Sequence, residues 1–321
     1  MKVECLRSAH ELDQLGFRWK WLESQRDYTV FQKYELNRCA AEWFADRESP
    51  HVVVAESGSG LAIIPAVRRE REVSLIGETL FDYRDVLAAG DTAVLDAAWQ
   101  ELARLKLPLE VTALRGDQVR ERWGRFDPKP FCNAPCARYQ DISSSQFVSA
   151  HHKSAKASRR LRRQGLHLMR RSVGLDRYVN WVYRRKQEWT GHSENLFLDP
   201  IRQEFMQHVA KHGVSDCKAW TYETGDGDIA AVLITLESPR HRHFYTIHHD
   251  ARWEQFSPGQ VMIFDVTRES LAEGLDVDYM TGEYPYKNRI ATSKVPLYRI
   301  QGTEPMSKYL HQTAGYLSPA A

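Results

Sequence analysis

No apolar run in the 321-residue sequence approaches the roughly 20 residues a helix needs to span a bilayer, so no membrane span is expected. The opening stretch, MKVECLRSAHELDQLGF, lacks the apolar core of a signal peptide, and a cytoplasmic protein is expected. Cysteine is scarce. Cys5, Cys39, Cys132, Cys136 and Cys217 are odd in number and widely scattered, which argues against a disulfide framework and for reduced thiols. Cys132 and Cys136 have no second ligand pair nearby to complete a zinc site. Excess charge is also lacking: the formal net charge is +2, so any electropositive surface has to be local.

What is present is the composition of a soluble globular protein, 42% hydrophobic and 27% charged. The length exceeds one ordinary core and suits two domains of about 150 residues each. The order of elements recurs. A hairpin signal turning at Glu56-Ser57-Gly58-Ser59-Gly60 is followed by a strand near Phe81, a helix over 92–106 and a strand over 109–114. A second hairpin turning at Glu223-Thr224-Gly225-Asp226-Gly227 is followed by a strand over 244–249, a helix over 258–273 and a strand over 275–280. This predicts a tandem α/β duplication, divided at 1–145 and 146–321, with the linker in the proline-bearing residues 127–149. The last strand–helix–strand crossover predicts parallel pairing.

The second copy carries the chemistry. Ser257 suits an N-cap, Pro258 the first helical position, and Gly259 a close approach of ligand to backbone. A helix start with a neutral cap favours a phosphate or diphosphate. In the first copy the corresponding cap is Asp91, whose carboxylate would fill the anion site and repel phosphate. The run from His151 to Leu166 holds the basic patch, with Arg159, Arg162 and Arg163 on one side of a helix and Arg160 beside them. Such a run reads either as a solvated face or as a contact for a phosphorylated donor or RNA. A helix over 175–190 places Tyr178, Trp181, Val182 and Trp189 at core spacing, and another is expected over 195–211. His241, His243 and His249 share strand parity, but no carboxylate or thiolate accompanies them, and no metal is expected.

Phe31-Gln32-Lys33-Tyr34-Glu35-Leu36, Phe81-Asp82-Tyr83-Arg84-Asp85, Ser158-Arg159-Arg160-Leu161-Arg162-Arg163, Phe256-Ser257-Pro258-Gly259 and Gly282-Glu283-Tyr284-Pro285-Tyr286-Lys287 together span nearly the whole chain. In order and spacing they resemble the CelD-like (BioF2-like) acetyltransferases, relatives of the Fem peptidyl transferases with two GNAT units in tandem. The chain departs from the general GNAT pattern in keeping only Gly259 of two spaced glycines. The resemblance implies two tandem GNAT-like domains, each a mixed sheet flanked by helices, the first degenerate and structural or acceptor-binding. It implies acyl transfer, acetyl first, from acyl-CoA to an amine or hydroxyl, with aminoacyl-tRNA as alternative donor. The donor site falls at Tyr245, Thr246 and Ile247, whose backbone N–H groups serve the oxyanion, and at Phe256, Ser257, Gly259 and Gln260. For the base, Glu283 stands first and His248 second; Tyr286 or Tyr284 protonates the leaving group. Tyr34, Tyr83, Arg84 and Lys287 are expected around the acceptor. A Fem-like transferase using tRNA through Arg159, Arg160, Arg162 and Arg163, and a catalytically silent binding module, remain as alternatives.

Overall fold

The computed structural model describes residues 1–26, 28–77, 80–116, 119–190 and 196–312. They form two compact units, one of Met1–Cys132 with the chain from Val295 on, the other of Asn133–Lys294. This differs from the expected division at 145. The last strand, Ser293–Gln301, returns to the first unit and pairs Leu297 with Arg115.

In the first unit β1 (Lys2–Leu6), β2 (Val52–Ser57), β3 (Gly60–Ile64) and β4 (Leu87–Gly90) form an antiparallel sheet in that order. Helices α1 (Gly16–Gln25) and α2 (Tyr34–Trp43) precede β2, and α3 (Ala93–Ala103) leads from β4 to β5 (Glu110–Arg115). The parallel contact of this crossover lies at Arg84–Leu114, ahead of β4. In the core Trp99 packs edge to face with Trp123 and Phe126, with ring centroids 5.1 and 4.8 Å apart.

The second unit begins in β6 (Lys129–Ala137), where the sequence led us to expect a linker. Pro130 and Pro135 disguise this strand, because each removes a ladder donor and breaks the alternation. Its last residues are nevertheless buried, and they pair Ala137 with Val277. Then follow α4 (His152–Arg163), β7 (His167–Arg171), α5 (Leu175–Thr190), a helix at Pro200–His212, β8 (Asp216–Glu223), β9 (Ile229–Glu237) and β10 (His241–His249). The chain continues through α6 (Pro258–Ala272), β11 (Asp276–Asp278) and α7 (Pro285–Ile290). The side chain of Trp189, expected in the core, and the helix start expected at Asn195 fall outside what the structure describes.

Within this unit the strand order is β7-β8-β9-β10-β11-β6, antiparallel except for the predicted parallel pair β10–β11. The repeat is visible in the arrangement: β1-β2-β3-β4 of the first unit corresponds to β7-β8-β9-β10 of the second. Central β9, IAAVLITLE, is apolar without alternation because α5 and α6 cover it. Helix α4 buries Ala155, Ser158 and Leu161 and leaves Arg159, Arg160, Arg162 and Arg163 exposed. A buried carboxylate ties it down. Asp265 of α6 accepts hydrogen bonds from Ser158 Oγ at 2.6 Å and from the Tyr222 hydroxyl, and pairs with Arg268 at 3.3 Å. Burial, followed by the Asp265 charge, pushes the Tyr222 pKa upward, so this hydroxyl stays a donor.

Candidate functional site

The end of β10 and the start of α6 border one cleft of about 710 Å3 in the second unit. The register of β10 against β9 slips on the way to it. Thr235 pairs with Phe244 and Ile234 with Thr246, so Tyr245 is the extra residue of a β-bulge. A bulge bends its strand and re-aims the residues beyond it. Here those residues are Ile247, His248 and His249, and all three line the cleft. The slip also corrects the parity expected of His241, His243 and His249, since alternation changes face at Tyr245. Among the described residues no group of three or more His, Cys, Asp or Glu is placed to hold a metal ion. Thr246 Oγ1 is buried beside the bulge without a hydrogen-bond partner among the described residues.

Ser257 is not the side-chain cap expected of it. It closes the preceding turn, donating its N–H to Glu254 O at 2.9 Å, and takes a left-handed backbone at φ +49°. A side-chain cap needs an extended backbone at that position, so the Ser257 side chain caps none of the first N–H groups of α6. The positive end of the helix therefore meets the cleft at Ser257, Gly259 and Gln260. In the first unit the corresponding start is filled, because Asp91 Oδ1 accepts from Ala93 N at 2.9 Å.

Gly259 is not required by the backbone, whose φ is ordinary. A Cβ there would meet His249 Nδ1 at 3.4 Å, a normal contact. What its missing side chain leaves is room at the helix start.

His248 is half-buried on the cleft wall. Burial, then the neighbouring His249, Lys186 and Arg185 charges, lower its pKa to about 4, so the imidazole is neutral across the physiological range. Tyr286 lines the same cleft; burial and Tyr284 raise its pKa and keep the phenol protonated. The two tyrosine rings stack 6.0 Å apart at 14°. Glu283, the first-named base, is exposed and held by Lys294 Nζ at 2.6 Å and Asn133 Nδ2 at 2.9 Å. Those two partners keep its carboxyl below the usual range, and it is not among the described residues lining the cleft.

Lys287 is buried, donating to Thr281 O at 2.7 Å and lying 5.3 Å from the Tyr284 ring centre. Tyr34, Tyr83 and Arg84 belong to the first unit. Tyr34 donates to Leu12 O at 3.3 Å, Tyr83 packs edge-on to Phe31, and buried Arg84 donates to Gly77 O at 3.2 Å. Phe256 carries the Arg160 guanidinium 4.8 Å over its ring, which joins the basic helix to the turn before α6. Sequence reasoning missed Arg185, Lys186 and Glu188 on α5, which line the cleft. The aromatic spacing of α5 marked its buried side and drew attention from the polar run Arg184-Arg185-Lys186.

Residues 149–288 match the family described as acetyltransferase (GNAT) domain. Among solved structures, FemX is 8% identical with TM-score 0.64, covering 98% of this chain and 99% of that one. L-PGS from Bacillus licheniformis is 8% identical with TM-score 0.59, covering 95% and 97%. A tandem GNAT protein from the clavulanic acid biosynthesis pathway is 9% identical with TM-score 0.52, covering 95% and 99%. At these identities the likeness is one of fold. No curated protein matches the sequence. The architecture is thus α/β with two tandem GNAT-like units, the second carrying the family match. Among the described residues no helix is long and apolar enough to cross a membrane.

Proposed function

We propose that this chain is a tandem GNAT acyltransferase of the CelD-like kind, moving an acyl group, acetyl first, from acyl-CoA to an amine or hydroxyl. The observation that carries the proposal is the cleft that joins a bulged strand end to a helix start without a side-chain cap. The residues fit the donor. The N–H groups at Gly259 and Gln260, with the helix dipole behind them, suit its diphosphate, and the absent Gly259 side chain leaves space for it. Backbone N–H groups along Tyr245–Ile247 serve the oxygen on which negative charge develops as the acceptor attacks.

His248 takes the role of base. It shares the cleft wall with α6 and is neutral, whereas Glu283 is engaged by Lys294 and Asn133. Tyr286, held protonated, donates to the leaving group as the bond from the carbonyl carbon to sulfur breaks. Tyr83 and Arg84, buried in the first unit, serve its packing, and the acceptor contacts are assigned to the exposed Tyr284 and to the polar α5 wall.

A second reading, transfer from aminoacyl-tRNA, is favoured by one observation. Arg159, Arg160, Arg162 and Arg163 are all exposed, and Arg160 reaches the turn that opens the cleft. Thermal stabilisation by CoA, acetyl-CoA and a mixed aminoacyl-tRNA pool, each at low and high salt, decides between them. A salt-tolerant shift with acetyl-CoA supports the first reading. A salt-sensitive shift with tRNA alone moves the activity to amide formation from tRNA, and no shift with any of the three leaves a binding module.

A further inference from the structure

The first unit holds a second cavity, of about 430 Å3, lined by Arg7, Arg47, Ser49, Pro50, His51, Arg68, Arg69, Glu70 and Leu105. Its volume falls within the roughly 300–1,000 Å3 of small-molecule pockets. Four guanidinium groups face one carboxylate in this lining. Arg69 is compensated, pairing with Glu48 at 2.5 Å and Glu72 at 3.0 Å. Arg7 and Arg68 make no ion pair among the described residues.

Two exposed arginines ordinarily just solvate a surface. These two differ in what they surround. Arg7 follows β1, Arg47 and Ser49 precede the short strand Ser49–Pro50 or open it, and Arg68 ends the strand Ala66–Arg68, so distant segments bring their cations to one place. Between them His51 is 9% exposed, and its ring makes no hydrogen bond among the described residues. Burial, then Arg7 and Arg68, push the His51 pKa down, against an opposite pull from Glu101. The like charges thus repel a proton from an imidazole that is already desolvated. Such a cluster is relieved by a multivalent anion, which accepts from several guanidinium forks at once. Pro50 and Leu105 give the same cavity an apolar side for an organic group.

We propose that this cavity is a binding site for a small phosphate-bearing ligand, held by Arg7 and Arg68 with His51 as the third contact. It is independent of the donor cleft in the second unit. The test uses the whole chain and inorganic diphosphate as probe, read by calorimetry and by the His51 ring resonances in a pH titration, assigned with His51→Gln. Saturable binding is expected, with the His51 pKa moving upward as the bound anion offsets the two arginine charges. Arg7→Gln and Arg68→Gln, both at exposed positions, are each expected to weaken binding about tenfold, the loss of one charge-assisted contact. Gly259→Glu, which blocks the helix start in the second unit, leaves the His51 shift unchanged. The proposal is overturned if the His51 resonances stay fixed at saturating diphosphate, or if chloride at equal ionic strength moves them as far. It is equally overturned if binding survives both arginine changes and disappears in Gly259→Glu, for then the anion sits at α6.

Discussion

Replacing Gly259 by glutamate separates folding from donor binding. The new Cβ meets His249 Nδ1 at 3.4 Å and Ile247 Cδ1 at 4.0 Å, so packing is not violated, and the φ is one any residue adopts. Two effects then favour the folded variant. A carboxylate in the first turn of α6 gains about 0.3–1 kcal/mol from the helix dipole, and replacing glycine within a helix gains up to about 1 kcal/mol. The free variant should therefore melt at the parental temperature or a few degrees above it, since 1 kcal/mol is worth about 2–4 °C in a unit of this size. The ligand response should go the other way. At a concentration 100 times its dissociation constant, CoA should stabilise the parent by about 2.7 kcal/mol. In the variant the glutamate fills the room at the helix start and repels the diphosphate, so that shift should vanish. Scanning fluorimetry with and without CoA, backed by calorimetric titration, measures both quantities. A folded Gly259→Glu protein with the parental CoA shift would refute the placement of the donor at α6.

His248→Gln should lower acyl transfer by at least about 100-fold while leaving CoA binding intact; a loss under tenfold, measured with saturating acceptor, removes His248 as base. The same variant has a signature in stability. The pKa of His248 is depressed to about 4 in the folded protein, so below the unfolded value of 6.5 the unfolded chain binds the extra proton. Its contribution is whole above pH 6.5 and is lost as pH falls to 4. Urea midpoints of His248→Gln should slope less steeply than the parent across that window, and equal slopes would contradict the burial argument. Glu283→Gln should lower turnover less than tenfold, because its carboxylate is held by Lys294 and Asn133 away from the cleft lining; a hundredfold loss with unchanged CoA affinity would restore it as base. Asp265→Ala should cost about 3 kcal/mol in urea unfolding, since it strands the buried Ser158 and Tyr222 hydroxyls at about 1–3 kcal/mol each. A change below 1 kcal/mol would mean that the network contributes little.

The features legible in the sequence were those set by local chemistry and period. The hairpin turns at Glu56 and Glu223, the left-handed helix end at Gly274, the parallel crossover into Val277 and the anionic cap at Asp91 all follow from residues within one or two turns of each other. The strand at Lys129–Ala137 was hidden because its prolines mimic a linker and its pairing partner, β11, lies about 140 residues further on. The cleft wall on α5 was hidden for a related reason: Arg185 and Lys186 acquire meaning only beside β10, and the helix period by itself says no more than that they face away from the core.

The two features that shape the cleft are the least local of all. A bulge at Tyr245 exists only relative to β9, and nothing in Phe244-Tyr245-Thr246 announces which residue falls out of step. Ser257 has the composition of an N-cap and the conformation of a left-handed corner, because the turn from Ala251 to Phe256 must reverse before α6 can begin. Sequence chemistry alone makes Ser257 a neutral side-chain cap on the first N–H groups of the helix. The backbone instead withholds that side-chain bond at Ser257, while Asp91 supplies it in the first unit. The structural difference between the two helix starts is therefore larger than a serine for an aspartate. One helix start is closed by its own carboxylate, and the other goes without a side-chain bond from its cap residue because of a backbone angle that ordinary side chains rarely adopt.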